Sequence, residues 1–154
     1  MMKEDALYLR DVETSDVDYL FEWVNDVATR QNAFDTHSIS YSEHVEWFNN
    51  MLKDDNQVQY ILMRGNEPIG QSRLSIKGAD AEIDYSISSH SRGYGYGKEL
   101  IRLTIERVKI DHHNVTRLIG RVKPSNEASY YCFMGNGFED KYRQLEYNLM
   151  MIRD

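Results

Sequence analysis

A chain of 154 residues with 41% hydrophobic and 28% charged side chains has the composition of one globular domain, 1–154, large enough for a single core. Its net charge of −7 argues against nucleic-acid binding, which needs a basic face, and its single cysteine, Cys132, excludes an internal disulfide and a cysteine-rich metal cluster. No apolar run approaches the ~20 residues of a membrane span and the N-terminal segment lacks a signal-peptide pattern, so a cytoplasmic protein without membrane contact is expected.

Ala6 to Val12 alternates as a first strand, and Thr14, Ser15 and Asp16 offer N-caps for a helix whose stripe is Val17, Leu20, Phe21 and Val24. From Asn25 to Ser40 the periodicity fails, which predicts a polar loop with scattered aromatics. Ser40-Tyr41-Ser42-Glu43 has the form of a capping box for a second helix carrying Val45, Phe48 and Leu52. Val58–Arg64, a Gly65–Pro68 turn, Ile69–Ile76 and Ala81–Ser88 predict a three-stranded meander. A helix bearing Leu100, Ile101, Thr104, Ile105 and Val108 then crosses to a strand at Thr116–Val122, expected parallel to the Ala81–Ser88 strand. Ser125–Ala128 opens a last helix, Gly135-Asn136-Gly137 stops it, and Leu145–Ile152 predicts a closing strand. The expected class is α/β (α+β), a mixed sheet flanked by helices in the order β-α-α-β-β-β-α-β-α-β-β.

The stretch that carries chemistry is Arg92-Gly93-Tyr94-Gly95-Tyr96-Gly97-Lys98, between a strand and a helix. Glycines at alternate positions let backbone come close to a ligand, and N–H groups converging on a helix start favour an anion such as phosphate. The Gly-Lys-Ser/Thr of a Walker loop and the G-x-G-x-x-G of a dinucleotide fold are both missing. A plain glycine turn is the alternative.

Arg92, Gly95 and Gly97 match Arg/Gln-x-x-Gly-x-Gly/Ala, and the stretch resembles the acyl-CoA loop of the GNAT superfamily of N-acetyltransferases. The segment from Asn126 to Phe138 also resembles that family's C-terminal motif, with Asn126, Ser129, Phe133, Gly137 and Phe138 at the family's spacing. The resemblance extends to the element order over nearly the whole chain. It implies a splayed fourth and fifth strand, with acetyl-CoA as acyl donor. The pantetheine arm would lie beside Ile87 and Ser88, with Asn126 and Ser129 on its other side. The pyrophosphate would lie on the amides of Gly93, Tyr94, Gly95, Tyr96, Gly97 and Lys98. The reaction implied is direct acetyl transfer to a primary amine, and no metal is expected.

An amine attacks only when deprotonated, and a lysine-like amine has a pKa near ~10.4. Glu82 is the first candidate base because it resembles the strand-four glutamate of the histone acetyltransferase branch; Asp84, on the same strand face, is the reserve. A solvent-facing strand carboxylate is the plain alternative for Glu82. The resemblance departs at Phe133, where many members carry the tyrosine that protonates the departing thiolate, since a phenyl ring donates no proton. His112 and His113 look like metal ligands but lack a third of suitable spacing.

The acceptor end of the family's site is built by its two N-terminal helices. Here Trp23, Asn25, Arg30 and Asn32 are the candidate substrate residues, with Trp23 and Phe34 able to stack on a ring and Arg30 able to meet a phosphate. This region resembles members that acetylate amino-sugar nucleotides for surface glycans, and less closely the ribosomal-protein N-terminal acetyltransferases. The expected substrate is therefore a small-molecule amine, with a peptide N-terminus, or a non-catalytic acyl-CoA sensor, as alternatives. Dimerisation is common in the family, so a homodimer is among the expected states.

Overall fold

The computed structural model describes residues 6–141 together with Leu145 and Leu149. But for those two residues, the closing strand expected at 145–152 lies outside the described residues. One sheet has the order β1 (Leu7–Asp11), β2 (Gln57–Arg64), β3 (Glu67–Lys77), β4 (Asp80–Ile87), β5 (Arg117–Gly120). Neighbours are antiparallel up to β4, and β4 and β5 are parallel. That follows from the connections: tight turns join the meander, whereas α4 (Tyr96–Asp111) carries the chain across between β4 and β5. No helix among the described residues is long and apolar enough to cross a membrane.

Both faces of the sheet are covered. On one, α1 (Val17–Val24) and α3 (Tyr41–Lys53) bury Leu20, Trp23, Phe48 and Met51 against Ile61 and Met63 of β2. On the other, α4 and α5 (Glu127–Met134) bury Ile101, Val108 and Phe133 against Tyr60, Leu74, Ala81 and Ile83. Even and odd positions of β2 thus serve opposite cores, as a strand's period of two requires.

Of the capping box expected at the start of α3, the Ser40 half is present, with Ser40 Oγ accepting from the Glu43 N–H at 3.3 Å. The start of α1 differs. A single 3-10 turn over Thr14–Asp16 precedes it, and the buried Asp16 carboxylate turns back to the Glu13 N–H (2.7 Å) and to both terminal nitrogens of Arg10 (2.7 and 2.8 Å). The stretch expected as a loop holds another helix, α2 (Val27–Asn32), capped by Asp26, which accepts from the Thr29 N–H at 3.1 Å. None of its six residues is buried, so it shows no apolar periodicity.

The strand expected at 116–122 pairs over only four residues, from Asp80 opposite Arg117 to Ile83 opposite Gly120, while β4 runs on to Ile87. A Cβ on Gly120 would lie 2.6 Å from the Phe133 ring, so the last residue of β5 must be glycine for that ring to seat against the strand. Among the described residues, no strand pairs with the β5 side of β4 beyond Ile83.

Candidate active site

A cavity of about 950 Å³ runs along this split. At one end it is lined by Gly93, Gly95 and Gly97 and at the other by α1, α2 and α3, with β3 and β4 as its floor.

The glycine end is a backbone site. Gly93 and Gly95 have φ of 85° and 80°, a left-handed conformation that costs a side-chain-bearing residue energy. Gly95 caps α4 without any side-chain hydrogen bond, whereas α2, α3 and α5 are capped by Asp26, Ser40 and Asn126. The first bond of α4 runs from the Glu99 N–H to Gly95 O (3.3 Å), which leaves the preceding N–H groups at the positive end of the helix for an anion. Tyr94 is 69% exposed and stacks on Tyr96, with centroids 5.6 Å apart, while the stem of Lys98 lies against Gly135 rather than in the cavity. The Arg92 guanidinium also points away from the loop amides: its Nε–H donates to Ile87 O (3.1 Å) and its Nη2 to Asp26 Oδ2 (2.7 Å).

At the split, Ile87, Asn126, Ser129 and Phe133 line the cavity. Ser88, expected beside them, is outside the lining, and its N–H is already given to Ile69 O at 2.8 Å. Asn126 Oδ1 accepts from the Ser129 N–H (3.2 Å), and Ser129 Oγ accepts from the Tyr85 hydroxyl (2.8 Å). Burial, with Cys132 and Asp84 adding to it, holds the Tyr85 phenol well above its usual pKa and therefore protonated. Phe133 is buried and meets Tyr85 and Phe138 edge-on, at 5.6 and 4.9 Å between centroids.

The two carboxylates expected as bases are separated by cross-strand register. Asp84 lies in the row Gln59–Arg73–Asp84 and lines the cavity; Glu82 lies one row further out, with Gln57 and Ser75, and is outside the lining. Glu82 Oε1 is paired instead with Arg121 Nε at 3.2 Å. Side chains that sequence reasoning missed join Asp84 on the floor. Gln71 Nε2 donates to Ser86 Oγ (3.1 Å) and to Asp84 Oδ2 (3.5 Å), and Gln59 Nε2 donates to Gln71 Oε1 (2.9 Å). Because a carboxylate only accepts, Asp84 sets the polarity of both amides, and Gln59 Oε1 is left buried without a partner. The signal was polar residues within strand runs, Gln59 in β2 and Gln71-Ser72-Arg73 in β3.

At the helical end, Trp23, Arg30 and Asn32 line the cavity with Phe34, His44 and Trp47, but Asn25 does not. Asn25 exchanges both its amide groups with the backbone of Ile39 (2.8 Å each), and so pins the loop that walls the cavity. Arg30 Nη1 donates to His37 O at 2.8 Å, while its Nε is buried without a partner. His44 Nε2 lies 3.0 Å from Val17 O; a carbonyl only accepts, so Nε2 carries the hydrogen and Nδ1 is the acceptor. Burial lowers the His44 pKa and keeps the ring neutral.

A mixed sheet whose parallel pair splits beside an uncapped, glycine-lined helix start defines an acyl-CoA-dependent transferase. The family model for the acetyltransferase (GNAT) domain matches residues 6–139, and the chain belongs to this family. It is thus an acyltransferase enzyme with acetyl-CoA as donor. No curated protein matches the chain with significance. Among solved structures it is similar to AAC(6')-Ib in complex with ribostamycin and coenzyme A, at 24% identity over 89% of this chain and 85% of that one, TM-score 0.78. It is also similar to spermidine N-acetyltransferase from Vibrio cholerae in complex with CoA and spermine (20% identity, 92% and 85% covered, TM-score 0.82). A domain from Methanocaldococcus jannaschii is comparable, at 19% identity, 92% and 93% covered and TM-score 0.79.

Proposed function

We propose that the enzyme acetylates the amino group of a nucleotide-linked amino sugar, with Asp84 as base. The observation that carries the acceptor class is Arg30 Nε, a buried cationic donor without a partner on the wall of a cavity that also bears Trp23, Phe34 and Trp47. A phosphate oxygen supplies the missing acceptor, an aromatic face packs on a base or sugar ring, and a sugar hydroxyl or amine N–H answers Gln59 Oε1. The loop that Asn25 pins across the cavity supports a small molecule over a peptide.

In this reading the pyrophosphate of acetyl-CoA sits on the amides from Gly93 to Lys98 and the pantetheine arm runs along β4 beyond Ile83. The acceptor ammonium gives a proton to Asp84, directly or through one water. The nitrogen lone pair forms a bond to the thioester carbonyl carbon, the carbon–sulfur bond breaks, CoA leaves as thiolate, and the second proton that the nitrogen sheds to become an amide passes through water to that thiolate. A thiol of pKa ~8.5 is a leaving group that does without an acid, which suits phenylalanine at position 133. The setting proposed is the cytoplasm, where acetyl-CoA is available.

A second reading has its own support: AAC(6')-Ib and the Vibrio enzyme were solved with ribostamycin and spermine, and Asp35, Glu43 and Asp84 place carboxylates on the cavity wall. The test is thiol release from acetyl-CoA over a panel of UDP-linked 4-amino sugars, the same sugars without nucleotide, aminoglycosides and spermidine. The expected result is turnover on the nucleotide-linked sugars, with Arg30→Ala raising their KM and leaving that of the free sugars unchanged. Turnover on polyamines or aminoglycosides alone refutes the first reading.

A further inference from the structure

Helix α2 has six residues, none of them buried, and isolated helices shorter than ~12 residues are unstable in water. Its place is therefore set by polar clasps, and two of these reach the segments that enclose the donor. At its start, Asp26 Oδ2 accepts from Arg92 Nη2 at 2.7 Å, and the same nitrogen is 3.3 Å from Thr29 Oγ1. At its end, Gln31 O accepts from Lys123 Nζ at 3.0 Å, on the segment leading to Asn126. Arg92 itself opens the glycine loop and holds Ile87 O at the end of β4, so one guanidinium touches loop, cleft and helix.

Burial pushes the Asp26 carboxyl up, but the hydrogen bonds from Arg92 and the Thr29 N–H outweigh it and keep the group ionised at neutral pH. The clasp is thus a charged pair with side chains 36% and 22% exposed, partly shielded from water. The same helix walls the acceptor end of the cavity through Ala28, Thr29, Arg30 and Asn32.

We infer that Asp26 is a positioning residue: through Arg92 it makes α2 follow the donor loop, so that the acceptor wall takes its working place only when acetyl-CoA fills the loop. This rests on the donor-site reading but not on the identity of the acceptor. Coupling of this kind is reciprocal, and a bound acceptor tightens the donor by the same factor. It requires no contact between α2 and CoA.

Both tryptophans of the chain, Trp23 and Trp47, line the acceptor end and report on it. CoA would be titrated by calorimetry, by tryptophan emission and by hydrogen exchange of the amides of 29–33, in the native chain, Asp26→Ser and Asp26→Asn. Serine still caps the helix but is too short for Arg92; asparagine keeps a neutral version of both bonds. In the native chain CoA is expected to shift the emission and to raise protection of α2 by ~10-fold or more. In Asp26→Ser the CoA Kd stays within ~3-fold while protection changes by less than ~2-fold, and Asp26→Asn recovers part of the response. Lys123→Met, which cuts the second clasp, should weaken the response independently. A full response in Asp26→Ser, or none in native chain saturated with CoA, overturns the inference. If calorimetry detects no CoA binding to the native chain, the donor-site reading fails as well.

Discussion

Replacing Gly95 by valine separates what the loop does for the donor from what it does for the fold. Gly95 has φ of 80°, and a Cβ built there meets no protein atom within 4 Å. The cost to the apo protein is then backbone strain alone, ~1–2 kcal/mol for an L-residue in the left-handed region and somewhat more for a β-branched one. At ~2–4 °C per kcal/mol for a chain of this size, the melting temperature should fall by ~2–8 °C. The empty space that spares the fold is, on the proposed reading, the space where the pyrophosphate approaches. Losing two charge-assisted hydrogen bonds, at ~1.5–3 kcal/mol each, weakens CoA by ~3–6 kcal/mol, at least ~100-fold in Kd. Calorimetry with CoA, beside thermal unfolding of the same sample, reads both effects. Gly95→Ala should show most of the melting loss with a smaller loss of affinity. A variant with the lowered melting temperature but a CoA Kd within ~3-fold of native would refute the assignment of this loop to the donor.

Asp84→Asn should lower kcat/KM by ~10²–10³ with little change in CoA affinity, whereas Glu82→Gln, paired with Arg121 outside the cavity, should stay within ~3-fold; the reverse result moves the base to Glu82. Gly120→Ala drives a methyl to 2.6 Å from the Phe133 ring and should cost ~1–3 kcal/mol, read as a fall in the denaturation midpoint; an unchanged midpoint would mean that the ring has room to yield. Burial pushes the Asp16 carboxyl up, but Arg10 and the Glu13 N–H outweigh this and hold it below the usual range. Its stabilisation is therefore fully present above the unfolded pKa of ~3.9 and lost as pH falls through the folded value. Asp16→Asn should cost ~3 kcal/mol at pH 7, with the gap from the native protein closing only below pH ~4 in denaturant titrations; a gap independent of pH would remove the ion pair as its cause.

What the sequence made legible follows the range of the interactions involved. Strands and helices that bury an apolar stripe could be read from Val58–Arg64 or Leu100–Val108, because the period is written in neighbouring residues. The glycine loop was equally local. Helix α2 was not, since its six residues bury nothing and its supports, Arg92 and Lys123, lie more than 60 residues away in the chain. Asn25 resembled a site residue but serves the Ile39 backbone, a choice made by a loop return that no periodicity encodes. The division between Glu82 and Asp84 is of the same kind. Both lie on one strand face, and only the register with β3 and the stop of β5 at Gly120 put one in the cavity and the other beside Arg121.

The departure at Phe133 is best understood from its place rather than its chemistry. The ring is 6% exposed, seated on Gly120 and held edge-on between Tyr85 and Phe138, where β5 leaves β4. A parallel pair left to itself would continue hydrogen bonding past Ile83, because unpaired backbone in a partly buried edge costs free energy. The ring covers the face of the sheet at Gly120, the last paired residue of β5, and its apolar burial contributes ~2 kcal/mol or more. On the proposed reading this packing props the cleft open. Trimming it to leucine should then let the split relax, so that CoA affinity falls together with stability. Measuring the CoA Kd and the denaturation midpoint of Phe133→Leu decides this: a lowered midpoint with a CoA Kd within ~3-fold of native would refute the prop.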